Sequence, residues 1–259
     1  MSLVSRPLPA DPVCLRNELL GGPASLLCSP LVAETEDLLW REAEKVVARG
    51  PDVVEWRADY MRGLEPEAVP RILQALRERV AGPLLFTCRA SGEGGARDVS
   101  EPARVGILEA AVRSGQADLV DVELSTDPLL RSRLLRLARD KAVPMVVSTH
   151  DFRGTPEEPG LLRTLALQQE TGAAVAKIAT MAQTPQDGLR LLAACARARA
   201  EFLRIPLVGI AMGPAGAFTR VLGPLFGIDL TFAVAVHGSA PGQIDLQAVR
   251  EARRILEVP

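Results

Sequence analysis

The sequence predicts an α/β protein of the (β/α)8-barrel class, the TIM barrel, with a short N-terminal extension that closes the barrel bottom. Short apolar or β-branched segments alternate with amphipathic segments along the chain, as in the βαβ units of a parallel sheet. Eight such units fit a chain of 259 residues, because barrels of this class contain roughly 250. No G-x-G-x-x-G turn follows the first predicted strand, which weakens the alternative of an open dinucleotide-binding sheet.

The eight predicted strands are short apolar segments spaced along the chain. In order they are SLLCSPLV from Ser25, DVVEWR from Asp52, PLLFTCR from Pro83, ADLVDVEL from Ala117, VPMVVSTH from Val143, AAVAKIA from Ala173, IPLVGIAM from Ile205 and LTFAVA from Leu230. Residues 1–24 precede the first strand and form the predicted extension. No linker divides the chain, so we expect residues 1–259 to form a single domain.

The segments between the strands carry helix signals. Apolar residues at 69, 72, 73, 76 and 80 follow the i, i+3, i+4, i+7 spacing of one buried helix face. The sequence TPQD predicts a helix start, with Thr184 as N-cap, Pro185 at the first helical position and Asp187 in the first turn. These signals support strand–helix alternation over the whole chain.

Composition excludes several classes of function. The net charge is -2 and basic and acidic residues are mixed, so we expect no nucleic-acid partner. The N-terminal residues contain no apolar signal-peptide core, and the longest uncharged stretch, residues 205–219, is too short for a membrane span. We therefore expect a cytoplasmic protein without a membrane partner. Four cysteines without CxxC spacing and only two histidines argue against a metal site or a disulfide framework.

One lysine stands apart from the rest of the composition. Of thirty basic residues only three are lysine, and Lys45 and Lys141 lie in charged stretches, whereas Lys177 lies within the apolar run AAVAKIATM. A lysine amine can lose its proton and act as a nucleophile, which a guanidinium does not do. The plain alternative is a buried lysine that is paired with a carboxylate, and the rarity of lysine makes that alternative less attractive.

Polar residues at the ends of the predicted strands point to a site. In barrels of this class the active site lies at the C-terminal ends of the strands. The two-residue period of a strand places a set of polar side chains on common faces. If those faces point inward, one cavity receives Glu55, Arg57, Arg89, His150 and Lys177. Taken singly, each has a structural explanation, such as an outward salt bridge between Glu55 and Arg57.

Together these residue types indicate Schiff-base chemistry. A buried ammonium without a partner lowers its pKa, which favours a neutral amine at Lys177. An amine of this kind forms an iminium with a ketone or aldehyde and so acidifies the neighbouring C–H bond. His150 could remove that proton and then help a β-hydroxyl depart as water. Arginines in the same cavity suit a substrate carboxylate.

Six motifs give the chain a resemblance to a known family. They are EWRAD from Glu55, FTCRASGEGG from Phe86, STHDF from Ser148, AKIAT from Ala176, MGPAGAFTR from Met212 and SAPGQ from Ser239. In this order and spacing the sequence resembles the type I 3-dehydroquinate dehydratases of the shikimate pathway, over most of the chain.

The resemblance implies a (β/α)8 barrel that converts 3-dehydroquinate into 3-dehydroshikimate by syn elimination of water through a lysine imine, without metal or organic cofactor. It implies a homodimer and catalytic roles for three residues: Lys177 forms the imine, His150 transfers protons and Glu93 supports that histidine. The implied substrate-binding residues are Glu55, Arg57 and Arg89 for the hydroxyls and ring, Arg220 for the carboxylate, Ser239 and Gln243 in a mobile loop, and Met212 and Phe232 in the apolar wall.

The sequence also departs from the family pattern. Cys88 replaces a common aromatic residue beside Arg89, which we expect to alter packing but not chemistry. Pro30 stands at the position of a serine that can contact the substrate, and Ser29 is adjacent, so that contact is not carried over. His237 has no family role and is interpreted as a supporting or structural histidine.

Two alternative functions remain open at this point. A class I aldolase or related Schiff-base lyase would use a lysine on the sixth strand in the same way, although Arg220 and the SAPGQ loop favour a carboxylate substrate over a sugar phosphate. A catalytically silent barrel could serve as a binding module. The lysine, the histidine and Glu93 argue against loss of activity, and only a turnover assay excludes it.

Overall fold

A computed structural model describes residues 5–258 and contains a parallel barrel with helices around it. The strands are β1 (Val13–Leu15), β2 (Glu18–Leu20), β3 (Leu26–Leu31), β4 (Val53–Arg57), β5 (Leu84–Thr87), β6 (Leu119–Glu123), β7 (Met145–Asp151), β8 (Val175–Met181), β9 (Leu207–Met212) and β10 (Leu230–Phe232). The helices are α1 (Glu36–Ala48), α2 (Val69–Arg77), α3 (Glu101–Ser114), α4 (Pro128–Asp140), α5 (Glu158–Glu170), α6 (Pro185–Glu201), α7 (Thr219–Leu222) and α8 (Leu246–Ile255).

Eight of the strands form one parallel sheet in the order β10-β3-β4-β5-β6-β7-β8-β9. With the exception of the step from β10 to β3, neighbours in this order are also neighbours along the chain, as the strand–helix alternation predicts. The (β/α)8-barrel prediction is therefore confirmed. All eight predicted strands are present.

Asp229 closes the seam between the last strands of the barrel and the first. Its backbone N–H donates to the carbonyl of Leu207 at 2.8 Å, and its carbonyl accepts from the N–H of Leu26 at 2.9 Å. Its buried carboxylate pairs with Arg6 and, at 2.7 Å, with Arg199. The pairs with Arg6 and Arg199 therefore tie the N-terminal extension and α6 to the seam.

The N-terminal extension forms a hairpin that seals one end of the barrel. Strands β1 and β2 are antiparallel, with Cys14 opposite Leu19. Leu15 and Leu20 are each only 1% exposed, because they pack against the apolar residues at the N-terminal ends of the barrel strands. This position confirms the prediction that the extension closes the barrel bottom.

Local capping signals are also confirmed. Thr184 and Asp187 form a capping box at the start of α6, with Pro185 in the first turn. The apolar face predicted from residue 69 belongs to α2, although the helix ends at Arg77 and Val80 is buried just beyond it. The helix start is therefore better predicted than the helix end.

The last strand is shorter than predicted. LTFAVA predicts a strand through residue 235, but β10 ends at Phe232. Beyond it Val234 forms an isolated parallel bridge with Asp245, through hydrogen bonds to Ile244 and Leu246. The chain therefore leaves the barrel wall early and pairs with the segment that enters α8.

Within residues 5–258, the helices are all too short or too polar to traverse a lipid bilayer.

Leu20 and Leu19 offer a matched test of the hairpin's role as a plug. Leu20→Ala should lower the free energy of unfolding by about 2–5 kcal/mol, because it empties buried volume at the barrel bottom. Leu19→Ala, at a side chain that is 41% exposed, should change it by about 0.5 kcal/mol or less. Urea unfolding of both variants measures the difference, and equal effects would contradict a buried plug.

Candidate active site

All eleven residues that the sequence singled out line one cavity. The cavity lies at the C-terminal ends of the barrel strands and has an empty volume of about 450 Å³, within the range of sites for small molecules. The lining includes Glu55, Arg57, Arg89, Glu93, His150, Lys177, Met212, Arg220, Phe232, Ser239 and Gln243. The inward faces inferred from the strand period are therefore correct.

Lys177 lies deep in this cavity and has a partner. Its side chain is buried in β8, and its Nζ lies 2.9 Å from Oδ2 of Asp121 and 4.5 Å from the ring centroid of Phe232. The prediction of an ammonium without a carboxylate partner is therefore wrong. Lys177 therefore lines the cavity and forms an ion pair with Asp121 at the same time.

Asp121 is the buried residue that sequence reasoning missed. It lies in β6, where its carboxylate accepts two hydrogen bonds from the Arg89 guanidinium, at 2.8 and 3.1 Å, and one from Ser148 at 2.6 Å. Burial alone would raise its pKa, but Arg89 and Lys177 outweigh burial and hold the pKa of Asp121 well below its usual range. Asp121 is therefore a carboxylate anion shared between two cations.

Arg89 also contacts a second buried carboxylate. Its Nη1 lies 2.8 Å from Oε1 of Glu123, which in turn pairs with Arg104 of α3. The backbone N–H of Ala90 donates to the same Oε1 at 3.0 Å. Asp121 and Glu123 alternate along β6, so the period-two argument applied to ADLVDVEL was the signal that could have placed both of them inside.

Glu55 and Arg57 face inward but do not pair with each other. Glu55 accepts a hydrogen bond from the Thr87 hydroxyl at 2.8 Å. Arg57 makes two hydrogen bonds with Asp59, at 2.8 and 2.7 Å, and a third with the carbonyl of Gly94 at 3.3 Å. The alternative of an outward Glu55–Arg57 salt bridge is therefore wrong.

His150 and Glu93 are in direct contact. Oε2 of Glu93 accepts from the backbone N–H of His150 at 2.8 Å and lies 3.1 Å from its Nδ1. A proton on Nδ1 satisfies this contact and leaves Nε2 as an acceptor. Burial, with the nearby charges of Arg89 and Lys177, lowers the pKa of His150 well below its ordinary value. The imidazole is therefore neutral at neutral pH.

Arg220 differs from the other cavity cations in its partners. It is 1% exposed and donates to the carbonyls of Gly242 at 2.8 Å, Phe232 at 3.1 Å and Pro241 at 3.2 Å. Among residues 5–258 no carboxylate lies within ion-pair distance of it. Burial lowers the pKa of Arg220 to about 10, so the cation still persists at neutral pH.

The loop that contains Ser239 and Gln243 is seated against the barrel. The Ser239 N–H donates to Oε1 of Gln243 at 2.7 Å, and the Gly213 N–H donates to the carbonyl of Pro241 at 3.2 Å. Gly242 has a φ of +72° and a Cβ there would lie 2.4 Å from the backbone of Gly213. Only glycine allows this close approach.

The three residues that depart from the family pattern are not among those that line the cavity. Pro30 is buried in β3, in register with Glu55 of β4. Ser29 is buried on the outer side of β3, where its hydroxyl accepts from the Ala235 N–H at 3.0 Å. Cys88 packs in the apolar layer between barrel and helices, and burial raises the pKa of its thiol to about 12. His237 is exposed. Over residues 5–258, no group of three metal-ligating side chains is assembled.

These features define a class of protein, a (β/α)8-barrel enzyme with a charged pocket around a buried lysine. Comparison with known proteins identifies the family. Residues 27–258 match the family model described as type I 3-dehydroquinase. The chain belongs to the type I 3-dehydroquinase family.

Individual relatives match the chain over nearly its whole length. A 3-dehydroquinate dehydratase of Geobacillus kaustophilus is 42% identical, over 94% of this chain and 95% of the relative. One from Klebsiella pneumoniae is 37% identical, over 90% and 93%. A crystal structure of 3-dehydroquinate dehydratase from Geobacillus kaustophilus superimposes with a TM-score of 0.93 at 40% identity, over 96% of this chain and 97% of that one.

Asp121→Asn tests the shared carboxylate. The substitution removes the charge that Lys177 and Arg89 share, so it should cost about 3–5 kcal/mol in the free energy of unfolding, measured with urea. Glu109→Gln is the matched control, because Glu109 pairs with the exposed Arg133 and should contribute about 1 kcal/mol or less. A loss at Asp121 no larger than at Glu109 would show that the buried cations do not need this anion.

The lowered pKa of His150 predicts a pH-dependent stability. Unfolding releases the histidine to its ordinary pKa of 6.5, so below that pH the unfolded chain binds a proton that the folded chain does not. Folding stability should therefore fall as pH drops from about 6.5 toward the folded pKa. Urea unfolding between these limits should show this slope, and His150→Gln should flatten it. An unchanged slope in the variant would contradict the assignment.

Proposed function

We propose that this protein removes water from 3-dehydroquinate to give 3-dehydroshikimate through an imine on Lys177, with His150 as the proton-transfer residue. One observation carries the proposal: Lys177 and His150 line the same cavity as Arg220, a buried cation without a carboxylate partner among the described residues. The names of the relatives supply the substrate. The contacts within the cavity support the roles proposed for its residues.

The first step is imine formation. The Lys177 ammonium loses a proton to water, and the neutral amine adds to the ketone carbonyl to give a carbinolamine. The carbinolamine hydroxyl then takes up a proton and leaves as water, which gives an iminium. Phe232 lies against Nζ and Met212 also lines the cavity, so the reacting amine has an apolar side as well as the Asp121 side. An iminium is cationic, as the ammonium is, so Asp121 can act as the counter-ion of both.

The second step is elimination. Neutral His150 removes a proton from the carbon next to the iminium carbon, and the C–H electrons form an enamine. The enamine electrons then expel the β-hydroxyl, which takes the proton from His150 and leaves as water. Glu93 orients the imidazole through Nδ1 and stabilises the imidazolium between the two transfers. Hydrolysis of the conjugated iminium frees Lys177 and the enone product.

Substrate binding uses the remaining polar groups of the cavity. Arg220 makes hydrogen bonds with carbonyls only, so a substrate carboxylate would supply its missing counter-charge. Glu55 is held by Thr87 through one oxygen, which leaves the other to accept from a substrate hydroxyl. Arg57 and Arg89 are fixed by buried carboxylates and present rigid donors to the ring hydroxyls. The loop with Ser239 and Gln243 covers the bound acid.

Trapping of the imine tests this proposal directly. Borohydride reduction in the presence of 3-dehydroquinate should add one molecule of substrate or product to the protein, less the one oxygen atom that leaves as water when the imine forms. Peptide mapping should place this adduct on Lys177. Lys177→Ala should abolish both the adduct and the rise in enone absorbance, because among residues 5–258 Lys177 is the one lysine in the cavity lining. Lys141→Ala is the matched control, since Lys141 is exposed at the end of α4 and should keep the adduct and the activity.

The same experiment separates the alternatives. An adduct without enone formation, together with aldol cleavage of a keto sugar, would favour an aldolase. Binding without adduct or turnover would favour a silent module. An adduct on any residue other than Lys177 would refute the mechanism.

A further inference from the structure

The two oxygens of Glu93 have different partners. Oε2 faces His150, through its backbone N–H at 2.8 Å and its Nδ1 at 3.1 Å. Oε1 accepts a hydrogen bond from the hydroxyl of Ser125, in the loop between β6 and α4. Glu93 itself lies in a loop after β5, in a single 3-10 turn that packs near β7. Its hydrogen bonds therefore set which way each oxygen of the carboxylate faces.

We propose that Ser125 is a positioning residue for the proton-transfer step, which holds Glu93 so that its other oxygen meets Nδ1 of His150. The proposal rests on the proposed function, because it acts through His150. Ser125 does not line the cavity and contacts no substrate position; its effect passes through Glu93 alone. The sequence analysis did not identify it.

The hydroxyl of Ser125 also affects the charge on Glu93. Burial raises the pKa of Glu93, whereas the donated hydrogen bond from Ser125 and the nearby Arg89 oppose the rise; Glu123 adds to it. Loss of the Ser125 hydroxyl therefore makes Glu93 bind a proton at higher pH. A protonated Glu93 no longer favours the Nδ1–H form of His150.

The other charges around His150 do not change the direction of this effect. Arg89, Lys177 and Arg57 disfavour the imidazolium, and Asp121 favours it. A substitution at Ser125 leaves these groups unchanged. They therefore determine the pKa of His150 in the unaltered protein, but not the change in pKa that the substitution causes. Because Glu93 and His150 are in contact, they titrate as a pair, and a more basic Glu93 raises the apparent pKa of the pair.

Ser125→Ala should therefore change catalysis in a specific way. At the pH optimum kcat should fall about three- to tenfold, as expected for one lost hydrogen bond, while KM stays within about twofold. The acid-side midpoint of the kcat–pH profile should move up by about 0.5 to 1 pH unit. Ser125→Thr, which keeps a hydroxyl, should restore both the rate and the midpoint.

Ser91 provides the matched control on the same turn as Glu93. Its hydroxyl donates to Asp98 at 3.0 Å and does not touch the Glu93 carboxylate. Ser91→Ala should leave kcat, KM and the acid-side midpoint unchanged. A midpoint shift of equal size in Ser91→Ala would mean that loosening the loop, and not the hydrogen bond to Glu93, is responsible, and would overturn the proposal.

A double variant isolates the route through Glu93. In a Glu93→Ala background Ser125→Ala should have no further effect on kcat, because the hydroxyl has lost its acceptor. Independent, multiplicative losses would overturn the proposal, as would an unchanged midpoint in Ser125→Ala. If the unaltered protein gave no Lys177 adduct and no turnover, the proposed function would fail first. If the protein is active and forms the adduct, but Ser125→Ala leaves the kcat–pH profile unchanged, only the role of Ser125 is refuted.

Discussion

The carboxylate of Asp121 is the constraint on which the rest of the cavity depends. It is wholly buried, and it receives Lys177 from β8, Arg89 from the segment after β5, and Ser148 from β7. A buried ammonium or guanidinium without such a partner would be costly, so one anion makes two inward cations tolerable. It also fixes the distance between the proposed nucleophile, which lies in a strand, and a proposed substrate-binding arginine, which lies just beyond the end of one.

Much of this cavity could be predicted from the sequence, because in a parallel barrel the place of a residue along its strand determines at which end of the barrel it lies. Residues at the C-terminal ends of eight strands converge whatever their separation along the chain, and the period of two selects the inward face. Glu55, Arg57 and Lys177 were placed on that basis alone. Glu93 and Gln243 lie in connecting segments and Arg220 in the short helix α7, where no strand period applies, and only the family resemblance indicated them. Their shared position in the cavity lining agrees with that resemblance.

The parts that sequence reasoning missed are pairings between strands. The acids of ADLVDVEL were included in an apolar run, and nothing local shows that Asp121 would lie 2.9 Å from a lysine fifty-six residues later. The same limit applies to Asp229, which closes the barrel seam. Asp59 is different, because it holds Arg57 from only two residues away. The rarity of lysine correctly singled out Lys177 as a cavity residue, but it wrongly disfavoured the ion pair with Asp121. A reacting amine and an ion-paired amine are compatible.

The distribution of charge explains how an occupied cavity would differ from an empty one. Arg57, Arg89 and Lys177 are each matched by a carboxylate of the protein, so their positions do not depend on a ligand. Arg220 is matched only by carbonyl dipoles, two of which belong to Pro241 and Gly242 in the loop over the cavity. A carboxylate bound at Arg220 would therefore meet a cation that already holds the loop in place. In the proposed function, the substrate carboxylate and the loop would both bind this one side chain, so a neutral analogue of the substrate would leave Arg220 with its carbonyl partners alone.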